Sequence, residues 1–484
     1  MSTPSPRVTQ RVIDNTLSTP SLPSGIVFVQ GITERGPVND PINLITSWER
    51  FQALFGGYIS TSDFPLHCKL MLEAGCRLRV NSVKKNALKS TITLENDEGS
   101  PDDLVTISSK YPGKAYNELK LVISVPSDSE LGDFNLVVKF DGDIVETHEN
   151  LEVTEESLGS IRSNWVEVTS FEDLTSVTNK VPDFGTFEME DGSDGDLVAD
   201  AELSDFSAFD DYEDSYCLLV PDENSQAIHV AGEAYAALRK DLRYYASLAT
   251  SHDENFIIDD RKTMPTSKYI SYTSGGWKIT DPVTSQPKNI NEVSLFVANF
   301  VRVANTEGVW FSFSGPSNVV SRVLSPVNNF GGKAKMGELD QLNRNHINMA
   351  INRNGVNMFW GNFTAQRENT HLKFISTHNL VILMGKVLGP TLETFIEKPL
   401  DIQLFRQIFL SCEGFMESLV NGRAISEYQW MGDQNASSLA DLQVNTAEDI
   451  QMGIYKIRLA IVRINPLQEV HLTIELTKAG VTIE

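Results

Sequence analysis

The side chains best placed to do chemistry crowd between residues 183 and 214. Asp183, Glu188, Glu190, Asp191, Asp194, Asp196, Asp200, Glu202 and Asp205 follow closely on one another, Asp210, Asp211, Glu213 and Asp214 complete the run, and no Lys or Arg interrupts it. Inside it, Asp191-Gly192-Ser193-Asp194-Gly195-Asp196 offers the oxygen ligands that a hard cation such as calcium takes. The spacing and closing Glu of an EF-hand loop are missing, and a solvated loop is the simpler reading. Two carboxylates facing a cleft could serve a glycosidase, but carboxylate pairs are so frequent here that no one pair carries information. His371 and His378 are seven apart and would share a helix face, yet 369–384 reads mostly as strand, which leaves them ordinary core or surface histidines. Cys68, Cys76, Cys217 and Cys412 show no C-x-x-C spacing, so each reads as a small buried hydrophobe rather than a zinc ligand or half of a disulfide. The chain has no G-x-x-x-x-G-K, no H-E-x-x-H and no G-x-S-x-G, and no G-x-G-x-x-G at a strand-to-helix turn. These residues point to no active site, no metal and no cofactor.

The elements that would have to position any site are clearer. Ile26 to Gln30 read as a strand closed by Gly31, and a short strand is expected at 42–45. Thr46 and Glu49 fit a capping box ahead of a helix carrying Trp48, Phe51, Leu54 and Phe55, which Gly56-Gly57 stop. An apolar helical run at 66–72, a turn at Gly75 and a strand at 76–83 complete a compact α/β unit. From 84 to 160 the pattern changes to short β runs, at 91–94, 105–107, 119–125, 135–140 and 144–145. Asp141-Gly142 supplies a hairpin turn there. The α/β pattern resumes with a strand at 215–220 and a helix carrying Ala231, Ala234, Tyr235, Leu238, Leu242 and Tyr245. A strand at 256–258, a helix at 292–305 and a helix at 338–351 are expected next. The clearest helix spans 400–420, with Ile402, Phe405, Phe409, Cys412, Met416 and Leu419 toward a core and Gln403, Arg406, Glu413 and Glu417 toward water. Strands at 453–464 and 471–476 end the chain.

Composition narrows the class. The 484 residues suffice for two to four domains, and 24 Phe with 6 Trp can fill real cores. A net charge of −25 argues against a general binder of nucleic acid or anionic membrane, which needs a cationic surface. No apolar run reaches the roughly 18 residues of a membrane span. The segment 1–24 is polar, rich in Ser, Thr and Pro, and lacks the apolar stretch of a signal peptide. Folding in a cytoplasm is the expectation. Taken alone, 1–24 reads as a disordered tail.

The N-terminal unit carries an ordered set of residues: Gly31, Arg35-Gly36-Pro37-Val38-Asn39, Pro41, Thr46-Ser47-Trp48-Glu49-Arg50-Phe51, Phe55-Gly56 and Ala74-Gly75-Cys76-Arg77-Leu78-Arg79-Val80. This set resembles the opening of contractile tail sheath proteins, the outer cylinders of bacteriophage tails and related injection machines. Downstream, Tyr269 to Tyr272, Trp277-Lys278-Ile279, Asp281-Pro282 and Gly308-Val309-Trp310 resemble a sheath run, with Gly315-Pro316-Ser317-Asn318 where the family often has Ala-Pro-Ala-Asn. Asn354-Gly355-Val356-Asn357-Met358-Phe359-Trp360-Gly361-Asn362-Phe363-Thr364 is similar to the family's Trp-Gly-x-x-Thr segment. Ala424-Ile425-Ser426-Glu427-Tyr428 is similar to its Gly-Ala-Leu-x-Gly-Tyr element, with Glu427 where the second Gly stands. The likeness covers 1–85 and 190–484 well and 86–189 weakly; there Tyr116 stands where the family often has Trp-Gly.

The resemblance implies an α+β, α/β multidomain fold, a sheath-like core of mixed sheets with flanking helices. It places an N-terminal linker arm at 1–24, core at 25–85, a β-rich inserted outer domain at 86–189 and a middle α/β domain at 190–330. A C-terminal core facing the tube follows at 331–465 and a second linker arm at 466–484. Val8, Val12 and Leu17 in the first arm, and Leu472, Ile474, Leu476 and Val481 in the second, would pair with neighbouring copies by strand addition. Gln403, Arg406 and Glu413 would face an inner tube. The implied role is structural: a homo-oligomeric helical sheath of stacked rings around a tail tube protein, with baseplate and tail terminator proteins as partners. It would be built in the host cytoplasm, sit on the virion tail or a bacterially encoded injection system, and neither bind nucleic acid nor insert in a membrane. The competing expectation is an acidic, calcium-binding multidomain hydrolase.

Overall fold

The computed structural model describes residues 25–466 except 99, 127–132, 176, 434 and 437–440. Chain contacts divide these residues into two units, 25–306 with 313–375, and 307–312 with 376–466. The larger unit begins with β1 (Ile26–Gly31), β2 (Leu44–Ile45), α1 (Trp48–Phe55), α2 (Phe64–Glu73) and β3 (Arg77–Ser82). An insert follows: β4 (Thr91–Glu95), β5 (Asp103–Ser109), β6 (Lys120–Ser124), β7 (Phe134–Phe140), β8 (Asp143–Leu151), α3 (Glu155–Leu158), β9 (Val166–Phe171) and β10 (Gly185–Glu188). The sheet unit resumes with α4 (Asp200–Leu203), β11 (Cys217–Leu219), α5 (Gln226–Arg239), β12 (Arg243–Ser247), α6 (Glu254–Thr263) and β13 (Ile270–Ser274). It closes with β14 (Trp277–Thr280), β15 (Pro287–Ile290), α7 (Val293–Thr306), β16 (Ser325–Pro326), α8 (Met336–Arg344), β17 (Ile347–Arg353) and β18 (Val356–Trp360).

The main sheet runs β18-β17-β13-β12-β11-β1-β3-β2. Its six inner strands are parallel, and the antiparallel β2 and β18 close the edges. Parallel strands joined by crossovers are covered on both faces, so their sequences are apolar throughout rather than alternating; β1, β11, β12 and β13 are buried along their whole length. On one face Phe28, Leu218, Tyr244, Tyr272 and Ile347 pack with Ile228 of α5, Ile257 of α6 and Leu339 of α8. The other face is covered by α2 and α7, with Tyr245 set edge-on to Phe296 at 6.0 Å.

The insert is two antiparallel sheets, β10-β6-β7-β8 and β4-β5-β9, sharing one core around Leu104, Ile107, Leu121, Phe134 and Val138. Asp141 and Gly142 turn the β7–β8 hairpin with φ of 52° and 86°, the left-handed pair that a two-residue hairpin needs. The chain leaves and re-enters the sheet unit through one neck. There Leu88 and Ser193 exchange backbone hydrogen bonds of 3.0 and 3.1 Å, and Asn117 Oδ1 accepts from Gly192 N at 2.8 Å and Ser90 Oγ at 2.6 Å. Arg35, in the loop after β1, lays its guanidinium over Phe140 of the insert at 4.4 Å, and Gly36 N donates to Tyr116 Oη at 3.1 Å. The insert is fastened to the sheet unit by backbone, ring and side-chain contacts together.

The smaller unit holds α9 (Ile375–Glu393), α10 (Ile402–Asn421), β19 (Ile425–Met431), α11 (Ala447–Gln451) and β20 (Arg458–Arg463). Helix α9 starts one residue inside the larger unit, and the C-terminal unit begins at 376 rather than 331, because β17 and β18 complete the main sheet.

Several local expectations are corrected. Residues 256–258 lie inside α6, where Asp253 caps the helix and Ile257, Ile258 and Arg261 share its buried face. The helix expected at 338–351 stops at Arg344, His346 turns at φ 58°, and β17 takes the rest; a strand buried on both faces looks like a helix in a short window. Residues 375–384 are α9, not strand. The cap of α1 is Ser47, whose hydroxyl accepts from Arg50 N, and not Thr46 with Glu49. The strand expected at 453–464 spans only Arg458–Arg463.

Gly31 ends β1 against the fully buried ring of Phe64, where a Cβ would lie 2.2 Å from ring carbon Cδ2. Gly31→Ala is therefore expected to destabilise the larger unit by about 1–3 kcal/mol through overpacking. A denaturant melt checks it, with Gly31→Ala/Phe64→Leu recovering part of the loss.

Candidate functional site

In a doubly wound sheet, ligands bind outside the carboxyl ends of the strands where the strand order reverses. Here that switch lies between β1 and β11, and α2 begins beside it. The chain fills the place with its own anion. Asp222, three residues past the end of β11, accepts from Asp63 N at 2.7 Å and from Ser62 Oγ at 2.7 Å, at the amino end of α2. The Asp63 side chain pairs with Lys288. Helix amino termini attract anions, and an internal carboxylate occupies this one. An open polar cleft of about 770 Å³ lies alongside, lined by Asp63, Asp222, Asn224, His252, Asp253 and Asn289 among others.

The acidic run has structural partners. Asp194 pairs with Lys84 at 2.6 Å, Glu202 with Lys85 at 2.8 Å and Asp214 with Arg79 at 2.6 Å, while Asp196 accepts from Asn86 Nδ2 at 2.8 Å. These carboxylates strap the returning chain onto the segment it left by. Among the described residues no group of three or more His, Cys, Asp or Glu is arranged to hold a metal ion.

Two buried histidines and the four cysteines pack within the fold. His229 of α5 is buried between Tyr244 Oη at 3.2 Å and Ser247 O at 3.0 Å, and burial lowers its pKa to about 4. His67 of α2 is buried against Ser294 Oγ at 2.8 Å, and burial lowers its pKa as well. His371 sits in a short exposed turn and His378 is buried in α9, so they form no shared site. All four cysteines are buried free thiols, whose pKa burial raises. Glu292, buried ahead of α7, accepts from Ser247 Oγ at 2.9 Å and Gly276 N at 2.8 Å, and burial raises its pKa.

The C-terminal unit is where the sequence-derived surface residues fall. Asp401 caps α10, accepting from Leu404 N at 2.8 Å. Its buried stripe is Leu404, Phe405, Ile408, Cys412, Phe415, Met416 and Leu419, while Ile402 and Phe409 are half-buried. Gln403 and Arg406 are exposed. Glu413 is corrected: it is half-buried, accepting from Tyr428 Oη at 2.7 Å and Trp430 Nε1 at 3.1 Å of β19. The i+3/i+4 pattern placed Glu413 opposite the core, but β19 packs along that side and brings two donors. Trp310 Nε1 donates to Gly422 O at 3.0 Å, and Arg463 ties Ala424 O to Trp310 O at 2.7 and 2.6 Å. Strands β19 and β20 form a hairpin whose inner face, with Tyr428, Trp430, Leu459 and Ile461, packs on Met416 and Leu419. Among the described residues this sheet holds no third strand. Val8, Val12, Leu17, Leu472, Ile474, Leu476 and Val481 lie outside the described residues.

A doubly wound sheet with a β insert after its second parallel strand, followed by a helix–hairpin unit, is the fold of contractile tail sheath proteins. The sheath tail protein of Listeria innocua matches with a TM-score of 0.63 at 11% identity, covering 91% of this chain and 95% of that one. The sheath tail protein of Desulfitobacterium hafniense matches at 0.58 and 13% identity, over 96% and 100%. The helical sheath of the anti-feeding prophage in its contracted state matches at 0.60 and 11% identity, over 98% and 99%. No protein-family model and no curated protein sequence matches the chain. None of these similar structures supports the hydrolase reading.

His229 carries a pH prediction. Its folded pKa lies below the ordinary value near 6.5, so the unfolded chain takes up a proton first as pH falls. Stability should drop between about pH 6.5 and 4, on the order of 3 kcal/mol, and fall no further from this group below that. Urea melts across the range should show the slope, and His229→Gln should flatten it.

Proposed function

We propose that this chain is the structural subunit of a contractile sheath. Copies polymerise as a helical cylinder of stacked rings around an inner tail tube, and the cylinder shortens to drive the tube through a target envelope. The observation that carries this reading is the fold match along nearly the whole chain, including the match to a helical sheath in its contracted state. The hairpin β19–β20 supports it, because among the described residues it is a two-stranded sheet, the kind of sheet that strand addition extends. The C-terminal segment has the alternation such a strand needs, with Leu472, Ile474 and Leu476 on one side and Thr473 and Glu475 on the other. Val481 continues it, and Val8, Val12 and Leu17 supply apolar contacts from the N-terminal segment.

In this reading 1–24 and 466–484 are arms that stay paired with neighbours while the bodies turn. The insert 86–189 is assigned to the outside of the cylinder and the C-terminal unit to the tube. Gln403 and Arg406, on the exposed side of α10, are the candidate tube contacts, and Glu413 leaves that set. Baseplate and tail terminator proteins complete the partners. The particle is a virion tail or an injection system, assembled in a host cytoplasm, and no catalytic step is involved. Apolar area buried in the shortened state is worth roughly 25 cal/mol per Å² before entropic costs. A modest gain per copy, multiplied along the cylinder, supplies the work.

The purified chain at high concentration should form rings or cylinders in negative-stain electron microscopy. A strictly monomeric chain with both ends intact would overturn the reading. Deleting residues 1–20 should abolish ordered polymers while leaving the circular dichroism melt unchanged; polymers that persist would remove the arm from the proposal.

A further inference from the structure

The C-terminal unit carries an apolar groove of about 800 Å³ that its described residues leave open. Leu392 and Ile396 come to it from the end of α9 and the loop beyond, and Tyr455 and Ile457 from the stretch before β20. Leu404 and Ile408 of α10, both buried, complete the lining. Tyr455 is held in place by stacking on Phe405 at 4.1 Å and by donating from Oη to Gly432 O. Ile396 is 66% exposed and Leu392 37%. Apolar side chains gathered and left in water mark a contact site. The charges along the lining, Glu397 and Lys398, cancel. The groove therefore suits an apolar segment rather than a charged one, in a chain whose net charge is −25.

Such a segment is tied to the same unit. Residues 467–484 are joined to β20 by 464–466, and Val470, Leu472, Ile474 and Leu476 alternate along them. β20 is six residues, about 20 Å, and Ile457 stands directly before its first residue. An extended segment turning back from Pro466 covers that length in about six residues, which brings 472–476 level with the groove. Held on the same chain, it meets the groove at an effective concentration on the order of millimolar, which a second copy in dilute solution does not reach. Resting on the sheath reading for its second step, we propose that 467–484 of the free subunit occupies this groove, with Leu472, Ile474 and Leu476 against Ile396, Leu404 and Ile457, and that it leaves for a neighbouring copy only on assembly. The occupant is this chain's own C-terminal segment. The same side chains cannot face the groove and a neighbour's hairpin at once, so a subunit with a filled groove keeps its arm from premature pairing.

Two full-length variants test this. Ile396→Cys/Ile474→Cys, oxidised mildly at high dilution, should form a disulfide within one chain, read as a faster-migrating monomer on a non-reducing gel; the four native thiols are buried and do not compete. A bond between two chains, or none, would overturn the contact. The bridged chain should form no cylinders in negative stain until it is reduced, and cylinders from the bridged form would overturn the release step. Ile396→Asp puts a charge at the groove without touching the segment, and it should keep the wild-type melting temperature because the side chain is exposed. Trypsin should then remove 479–484 by cutting after Lys478 about tenfold faster than in the wild type, since cleavage follows the population of the released form. Equal rates in the two proteins would count against the groove. A wild-type chain that never polymerises would instead overturn the sheath reading, while the bridging and digestion results still decide the contact, so the two failures are separable.

Discussion

A parallel sheet cannot leave a face to water, and that requirement places nearly everything in the larger unit. Each crossover must return the chain to the same edge of the next strand, so helices accumulate on both sides. α2 and α7 close one face, and α5, α6 and α8 the other. Because β1, β11, β12 and β13 are buried along their whole length, the centre of the sheet has no spare surface for contacts with other molecules. Outward-facing function is left to the insert, to the flanking helices and to the separate C-terminal unit. The insert must then enter and leave through a single crossover, between β3 and β11, and the acidic strap is the return half of that crossover. Its carboxylates answer the lysines of the outgoing half, Asp194 to Lys84 and Glu202 to Lys85.

The sequence was most legible where a rule is local. Asp141-Gly142 announced its hairpin because few residue pairs accept two left-handed conformations in succession. α10 was legible because one face of it packs on a core and the other meets water, and the start of α2 to β3 because Gly75 punctuates it. The readings failed where burial on all sides erased periodicity. Strand β17 and helix α9 are both apolar in a way that a short window cannot separate, and the helix and strand assignments there were exchanged in part. Ile257 and Ile258 misled for the same reason. At the surface, Glu413 shows the complementary failure. Its helical position was read rightly, but the partners that draw it inward, Tyr428 and Trp430, come from a strand that the helix pattern alone cannot place. The acidic run was legible as composition and illegible as geometry, because its lysine partners lie about a hundred residues upstream.

The two units differ in how completely they satisfy themselves. In the sheet unit, β18 is the exposed flank of the sheet in principle, yet Gly315 N and Val320 N already bond to Phe359 O and Asn357 O, so the edge is covered. The hairpin of the C-terminal unit has no such cover among the described residues. An uncovered edge invites association, and proteins that keep one do so where association is wanted. The chain thus carries one covered sheet edge and one that, among the described residues, no third strand covers.

Asp222 has a further consequence for the start of α2. A soluble phosphate arriving at the start of α2 would contend with an anion held by the backbone itself, a rival whose effective concentration no dissolved metabolite matches.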